Sequence, residues 1–79
     1  MPTETESGII AIIQEMKNSQ DIGSGTALID SGLLDSFDVI TLLMELEKVF
    51  GVLIPGEEIV PENLGSVQDL ARLVEKQKA

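Results

Sequence analysis

One stretch limits what this chain can become. From Val39 to Phe50, apolar residues recur as Val39, Leu42, Leu43, Leu46, Val49 and Phe50. Steps of three and four lay a broad stripe along one side of an α-helix, whereas a half-buried strand would alternate. Just before it stands Gly32-Leu33-Leu34-Asp35-Ser36-Phe37-Asp38, where loose sequence gives way to pattern. Ser36 is a good N-cap at that junction, because its oxygen can accept one of the amides left free at a helix start. Lys48 falls in the last turn and Gly51 offers an exit. The helix is therefore expected over 36–50. Ile40 and Met44 fall off the centre of the stripe, near Glu47. With Phe37 they form an apolar strip flanked by Asp38, Glu45 and Glu47, which either widens the core or serves as a small docking surface.

The rest of the chain is read around this helix. Residues 3–17 have a second helical stripe in Ile9, Ile12, Ile13 and Met16, widened by Ile10. Thr3 or Thr5 can cap it, Glu4 and Glu6 suit its first turn, and Lys17 suits its end. Gly8 weakens its opening turns. Residues 18–35 form a linker in which Asn18, Ser19, Gln20, Gly23, Ser24 and Gly25 sustain no element. A connection of that length in a small domain calls for a role. Ile22, Leu28 and Ile29 are the expected anchors of an ordered crossover ending at Ser36. Val52-Leu53-Ile54-Pro55 reads as an extended loop, since Ile54 precedes proline. Short turns are expected at 57–60 and 62–64, with Ile59, Leu64 and Val60 pointing inward. Ser66-Val67-Gln68-Asp69 has capping-box spacing and opens a last helix whose apolar face is Val67, Leu70, Ala71, Leu73 and Val74. The pattern predicts an all-α fold: one domain over 1–79, three main helices and one or two short turns packed as a small bundle.

Composition narrows the chemistry. The chain has no Cys and no His, so disulfides, thiolate metal sites and the commonest neutral-pH base are excluded. Five basic residues face fourteen acidic ones, a formal charge of -9. That balance argues against nucleic acid and against an anionic membrane surface, both of which need Lys and Arg. No apolar run of 18 residues exists to span a bilayer, and the acidic N-terminus lacks the positive region of a secretory signal. The expected location is the cytoplasm. Between Leu28 and Glu62 lie eight acids and one base, so -7 of the -9 is concentrated there. Mutual repulsion on such a face has a stability cost, which a basic partner would relieve while gaining on-rate.

Several motifs fail. Asp35 and Asp38 lack any regular calcium-loop pattern. Ser36 has no Gly-x-Ser-x-Gly setting and no histidine to activate it. Gly23-Ser24-Gly25 falls far short of a phosphate loop.

What remains is a resemblance. Leu33-Leu34-Asp35-Ser36-Phe37-Asp38, followed by Val39-Ile40-x-Leu42-Leu43-Met44-x-Leu46-Glu47, resembles the acyl carrier proteins, which have Asp-Ser-Leu or a close variant at the start of their second helix. Phe50-Gly51-Val52-x-Ile54-Pro55 and Ser66-Val67-x-Asp69-Leu70 resemble the family's post-helix segment and fourth-helix opening. The match runs over about residues 28–76. It implies a small four-helix bundle of the acyl-carrier type with a short third helix. It also implies that Ser36 is the attachment point of a covalent 4'-phosphopantetheine arm. A phosphopantetheinyl transferase, with magnesium at its own site, would transfer that arm from coenzyme A. The arm's thiol would hold acyl or aminoacyl groups as thioesters, supplying the sulfur that a chain without Cys lacks.

By the same resemblance, Asp35 is the acidic neighbour that helps the transferase dock. Phe37, Asp38, Ile40, Met44 and Glu47 belong to the partner-recognition face. Its partners would be the transferase, a loading enzyme and downstream synthases or transferases with basic docking surfaces. The carrier would be a monomer and not an enzyme, and the bounds Met1 and Ala79 read as those of a freestanding one. Leu42 and Leu46 would line the interior. Phe37 stands where Leu is commoner, and Thr41 where fatty-acid carriers are often acidic. These departures weaken an assignment to fatty-acid synthesis, and Leu33-Leu34-Asp35-Ser36-Phe37 also resembles D-alanyl carriers and freestanding carriers of specialised polyketide or peptide pathways, which leaves the cargo open among fatty acid, polyketide, peptide and D-alanine. The alternative from another class is a small acidic helical interaction module with no prosthetic group.

Overall fold

A computed structural model describes residues 3–17, 22–23, 25 and 27–78. Asn18, Ser19, Gln20 and Ser24 of the expected linker, and Ala79 of the tail, lie outside them. Four α-helices follow one another: α1 (Glu4–Lys17), α2 (Ser36–Phe50), the short α3 (Pro61–Leu64) and α4 (Val67–Lys78). A 3-10 turn, Gly56–Glu58, precedes α3. No helix among the described residues is long and apolar enough to cross a membrane.

Each helix start is set by local chemistry. Thr3 caps α1: its hydroxyl accepts the Glu6 amide at 3.1 Å, while the Glu6 carboxylate accepts the Thr3 amide at 3.0 Å. Thr5, the other candidate cap, is buried instead and donates to the Glu75 carboxylate of α4. Pro61 opens α3, where its missing amide proton costs nothing. At α4, the Ser66 hydroxyl accepts the Asp69 amide at 3.3 Å and donates to the Asp69 carboxylate at 3.0 Å. Helix α2 ends as expected, with Gly51 left-handed at φ 66° and its amide donating to the Glu47 carbonyl.

The apolar stripes meet in one core. Ile9 and Ile13 of α1, Leu42, Leu43 and Leu46 of α2, and Val67, Leu70, Leu73 and Val74 of α4 form it, with Leu64 beneath α3. Helix α1 packs against both α4 and α2. It runs antiparallel to α2: Gly8 near its start faces Phe50, and Lys17 at its end meets Asp38. Gly8 is thus more than a weak helix former. A Cβ there would sit 3.0 Å from Phe50 Cζ, in a ring also approached by Lys78 Nζ at 5.3 Å from its centroid. Gly8→Leu is expected to lose about 1–3 kcal/mol by overpacking this contact, read as a lower urea midpoint at unchanged slope.

Three apolar residues expected inside are exposed. Val49 lies at the surface because the Phe50 ring takes the place against Gly8, leaving its neighbour, about 100° round the helix, on the α1–α2 groove. Ile59 closes the 3-10 turn through its amide to the Gly56 carbonyl at 3.1 Å, and its side chain stays outside. Leu64 is buried as expected and Val60 is half-buried. In the crossover, Ile22 and Leu28 are buried anchors, but Ile29 is exposed and Leu34 takes the inward place. Leu28 donates to the Gly65 carbonyl at 2.9 Å, and Ala27 forms an isolated bridge with Ser66, so the crossover is tied to the α3–α4 junction. A turn closed by the Gly32 amide on the Ile29 carbonyl, with Gly32 at φ 80°, then delivers the chain to α2.

Candidate functional site

The start of α2 corrects one expectation in a way that matters. Ser36 is not the N-cap; Asp35 is. The Asp35 carboxylate accepts the Asp38 amide at 2.9 Å, and the Asp38 carboxylate accepts the Asp35 amide at 3.2 Å. Two carboxylates three residues apart satisfy two orphan amides reciprocally, with charge-assisted bonds that a neutral hydroxyl does not match. Ser36 is pushed one place forward, into the first residue of the helix. Its hydroxyl is exposed and, among the described residues, makes no hydrogen bond. The cap and the candidate attachment point are therefore different residues.

Asp38 has a second partner. Lys17 Nζ, at the end of α1, lies 2.9 Å from Asp38 Oδ2. The hydrogen bond from Lys17, helped by the Asp35 backbone amide, holds the Asp38 carboxyl below its ordinary 3.8. The same bond raises Lys17 above its ordinary 10.5. A depressed carboxyl contributes stability above its unfolded value and loses it as pH falls through the folded value. A raised ammonium contributes below its unfolded value and loses it as pH rises through the folded one. Acid titration followed by circular dichroism is expected to show a stability loss setting in below pH 3.8. That loss is expected to be smaller in Lys17→Met.

Around Ser36 the surface is apolar. Ile29, Leu34, Val39 and Ile40, with Asp35 and Ser36, line an open groove of about 460 Å³. Ile29 thus has a place after all, as one wall of this groove. Further along α2, Phe37, Ile40 and Met44 are 81%, 58% and 64% exposed. The strip read from sequence therefore faces outward and does not widen the core, whereas Leu42 and Leu46 are interior as expected.

The acids are less free than their number implies. Glu47, placed on the recognition face from sequence, is half-buried, and its carboxylate accepts the Ile54 amide at 2.9 Å, pinning the loop after α2. Glu58 pairs with Lys76 at 2.9 Å. Asp38 is paired with Lys17. The carboxylates of Asp30, Glu45, Glu57 and Glu62 make no hydrogen bond or ion pair among the described residues. The site thus brings Asp35, Ser36, Phe37, Asp38 and Ile40 together at one helix end, with Met44 continuing the strip and Glu47, one turn further on, also holding the Ile54 amide. Sequence reasoning missed Lys17 as a member of this site. Its partner lies 21 residues away, and no local spacing marks the pair.

Comparison with known proteins agrees with this geometry. Residues 8–74 match the family model described as a phosphopantetheine attachment site. Aminoacyl carrier protein 1 of Bradyrhizobium diazoefficiens is 36% identical over 63 residues, 80% of this chain and 69% of that protein. A chain from the crystal structure of an FAD-dependent dehydrogenase superposes with TM-score 0.76 at 32% identity, covering 84% of this chain and 97% of that one. A chain from the crystal structure of the Bradyrhizobium japonicum glycine:[carrier protein] ligase complexed with its cognate carrier protein and an analogue of glycyl adenylate gives TM-score 0.72 at 33% identity, covering 91% of this chain and 92% of that one. The chain belongs to the phosphopantetheine-binding acyl and aminoacyl carrier protein family, and its work is that of a non-catalytic carrier.

Proposed function

We propose that Ser36 takes the phosphopantetheine arm and that the cargo is an aminoacyl group loaded by a separate ligase. The observation that carries the reading is the Ser36 hydroxyl, exposed and unbonded because Asp35 has taken over the cap. The surroundings fit the group. The amides of Ser36 and Phe37 have no partner among the described residues and lie at the positive end of a 15-residue helix, which favours a phosphodiester. Ile29, Leu34, Val39 and Ile40 offer the arm an apolar wall. When bound, the arm supplies a thiol that holds acyl groups as thioesters.

The chain's own contribution is presentation. It has no His, and nothing among the described residues accepts a hydrogen bond from the Ser36 hydroxyl, so the proton lost on loading must pass to the transferase. Helix α2 keeps the oxygen outward on a rigid element. Phe37, Ile40 and Met44 provide an apolar contact that forms and breaks quickly, with Asp35 and Asp38 beside it to steer basic enzymes.

The aminoacyl cargo is supported by the aminoacyl carrier relative and by the ligase–carrier structure. Phe37 and Thr41 support it as well, being departures from the fatty-acid pattern. Intact mass of the protein isolated from its host tests the reading. The expected mass is that of the chain plus one arm plus one amino-acid residue. A fatty-acyl mass on the arm would overturn the cargo, and an unmodified chain from a host with active transferases would overturn the attachment.

A further inference from the structure

The capping box at α2 is held from outside. Asp38 Oδ2 receives both the Asp35 amide at 3.2 Å and Lys17 Nζ at 2.9 Å, and Asp35 Oδ1 receives the Asp38 amide at 2.9 Å. These bonds form a chain from the end of α1 through Asp38 to Asp35, the residue directly before Ser36. Two N-caps compete at this point. Asp35 caps in the structure, but Ser36 is itself a favoured capping residue. With Asp35 as cap the serine hydroxyl is bare; with Ser36 as cap that oxygen would be engaged on an amide of the first turn.

We propose that Lys17 is a positioning residue for loading: it fixes the Asp38 carboxylate, selects the Asp35 cap, and so keeps the Ser36 hydroxyl free and outward. The inference rests on Ser36 being the attachment point. The mutual effect of the pair on its two ionisations, Asp38 lowered and Lys17 raised, agrees with a bond that orders the carboxylate. The ion pair is partly exposed, with side chains 32% and 23% accessible, so its share of global stability is small. Its effect is on which of two local states is populated. An enzyme that recognises one state sees a carrier diluted by the other, and its apparent KM rises by the inverse of the competent fraction.

Loading of the full chain by a broad-specificity phosphopantetheinyl transferase with coenzyme A tests this. Lys17→Met is expected to raise KM for the carrier about fivefold, as for a carrier one-fifth of which holds the competent cap, at unchanged kcat. Lys17→Arg is expected to restore the wild-type KM. In the same variants, nuclear magnetic resonance is expected to show the Asp38 carboxyl titrating closer to its ordinary value in Lys17→Met, with faster hydrogen exchange at the Asp38 amide. Equal KM values for wild type and Lys17→Met, or unchanged exchange at Asp38, would overturn the proposal. If the wild-type chain does not load at all, the Ser36 assignment fails instead, and the exchange measurement still decides whether Lys17 governs the cap.

Discussion

Leu46→Ala is expected to destabilise the protein by about 2–5 kcal/mol, the usual cost of removing a fully buried leucine and leaving a cavity. Leu46 is 0% exposed and sits in the one core shared by α1, α2 and α4. A 79-residue chain has little reserve: small domains hold about 5–15 kcal/mol in total, and short ones fall toward the lower end. The substitution therefore removes a large fraction of what keeps the chain folded. Urea denaturation should show the midpoint falling at unchanged slope, and melting should fall by roughly 4–8 °C for each kcal/mol lost. The control is Met44→Ala on the same helix, which is expected to stay within about 0.5 kcal/mol of wild type because Met44 is mostly exposed. Equal losses at the two positions would contradict the placement of the buried face of α2.

The same helix predicts the opposite division for docking. Ile40→Ala with Met44→Ala is expected to leave the melt almost unchanged but to weaken binding to the loading enzyme by about tenfold or more, as truncation of central apolar anchors does. The reason lies in how the charges are used. Asp38, Glu47 and Glu58 have internal partners, so the exposed apolar strip is expected to carry more of the contact than the acid count implies. Titration of the partner at two salt concentrations separates the contributions. The strip substitutions should slow nothing in the encounter and speed dissociation, whereas added salt should mainly reduce the association rate. A double variant that binds like wild type would remove the strip from the interface.

How much of this was legible before the fold was seen depends on whether the cause was local. The bounds 36–50 of α2, its exit at Gly51, the Ser66–Asp69 start of α4 and the extended Val52–Pro55 segment follow from periodicity and capping chemistry within a few residues. Where two local solutions compete, sequence does not choose between them. Asp35 and Ser36 are adjacent and both cap well, and the choice turns on Asp38 three residues later and Lys17 on another helix. Exposure at Val49 and Ile59 was likewise hidden, because it depends on Phe50 reaching Gly8 and on the closing of a single 3-10 turn. Glu47 looked like one more surface acid, since nothing in its spacing shows that the Ile54 amide will fold back onto it. The candidate site itself was readable because its parts, Asp35 to Asp38 and then Ile40 and Met44, lie on one helix where order along the chain fixes position in space.

Intact mass after incubation with coenzyme A and a phosphopantetheinyl transferase tests the central claim most directly, run on the wild-type chain and on Ser36→Ala side by side. The wild type is expected to gain the mass of one phosphopantetheine arm and no more. Ser36→Ala is expected to gain nothing while keeping its helical circular dichroism and its melt, since Asp35 and not Ser36 caps α2. A Ser36→Ala chain that still acquires the arm, or a wild-type chain that takes none from a transferase active on another carrier, would contradict the account.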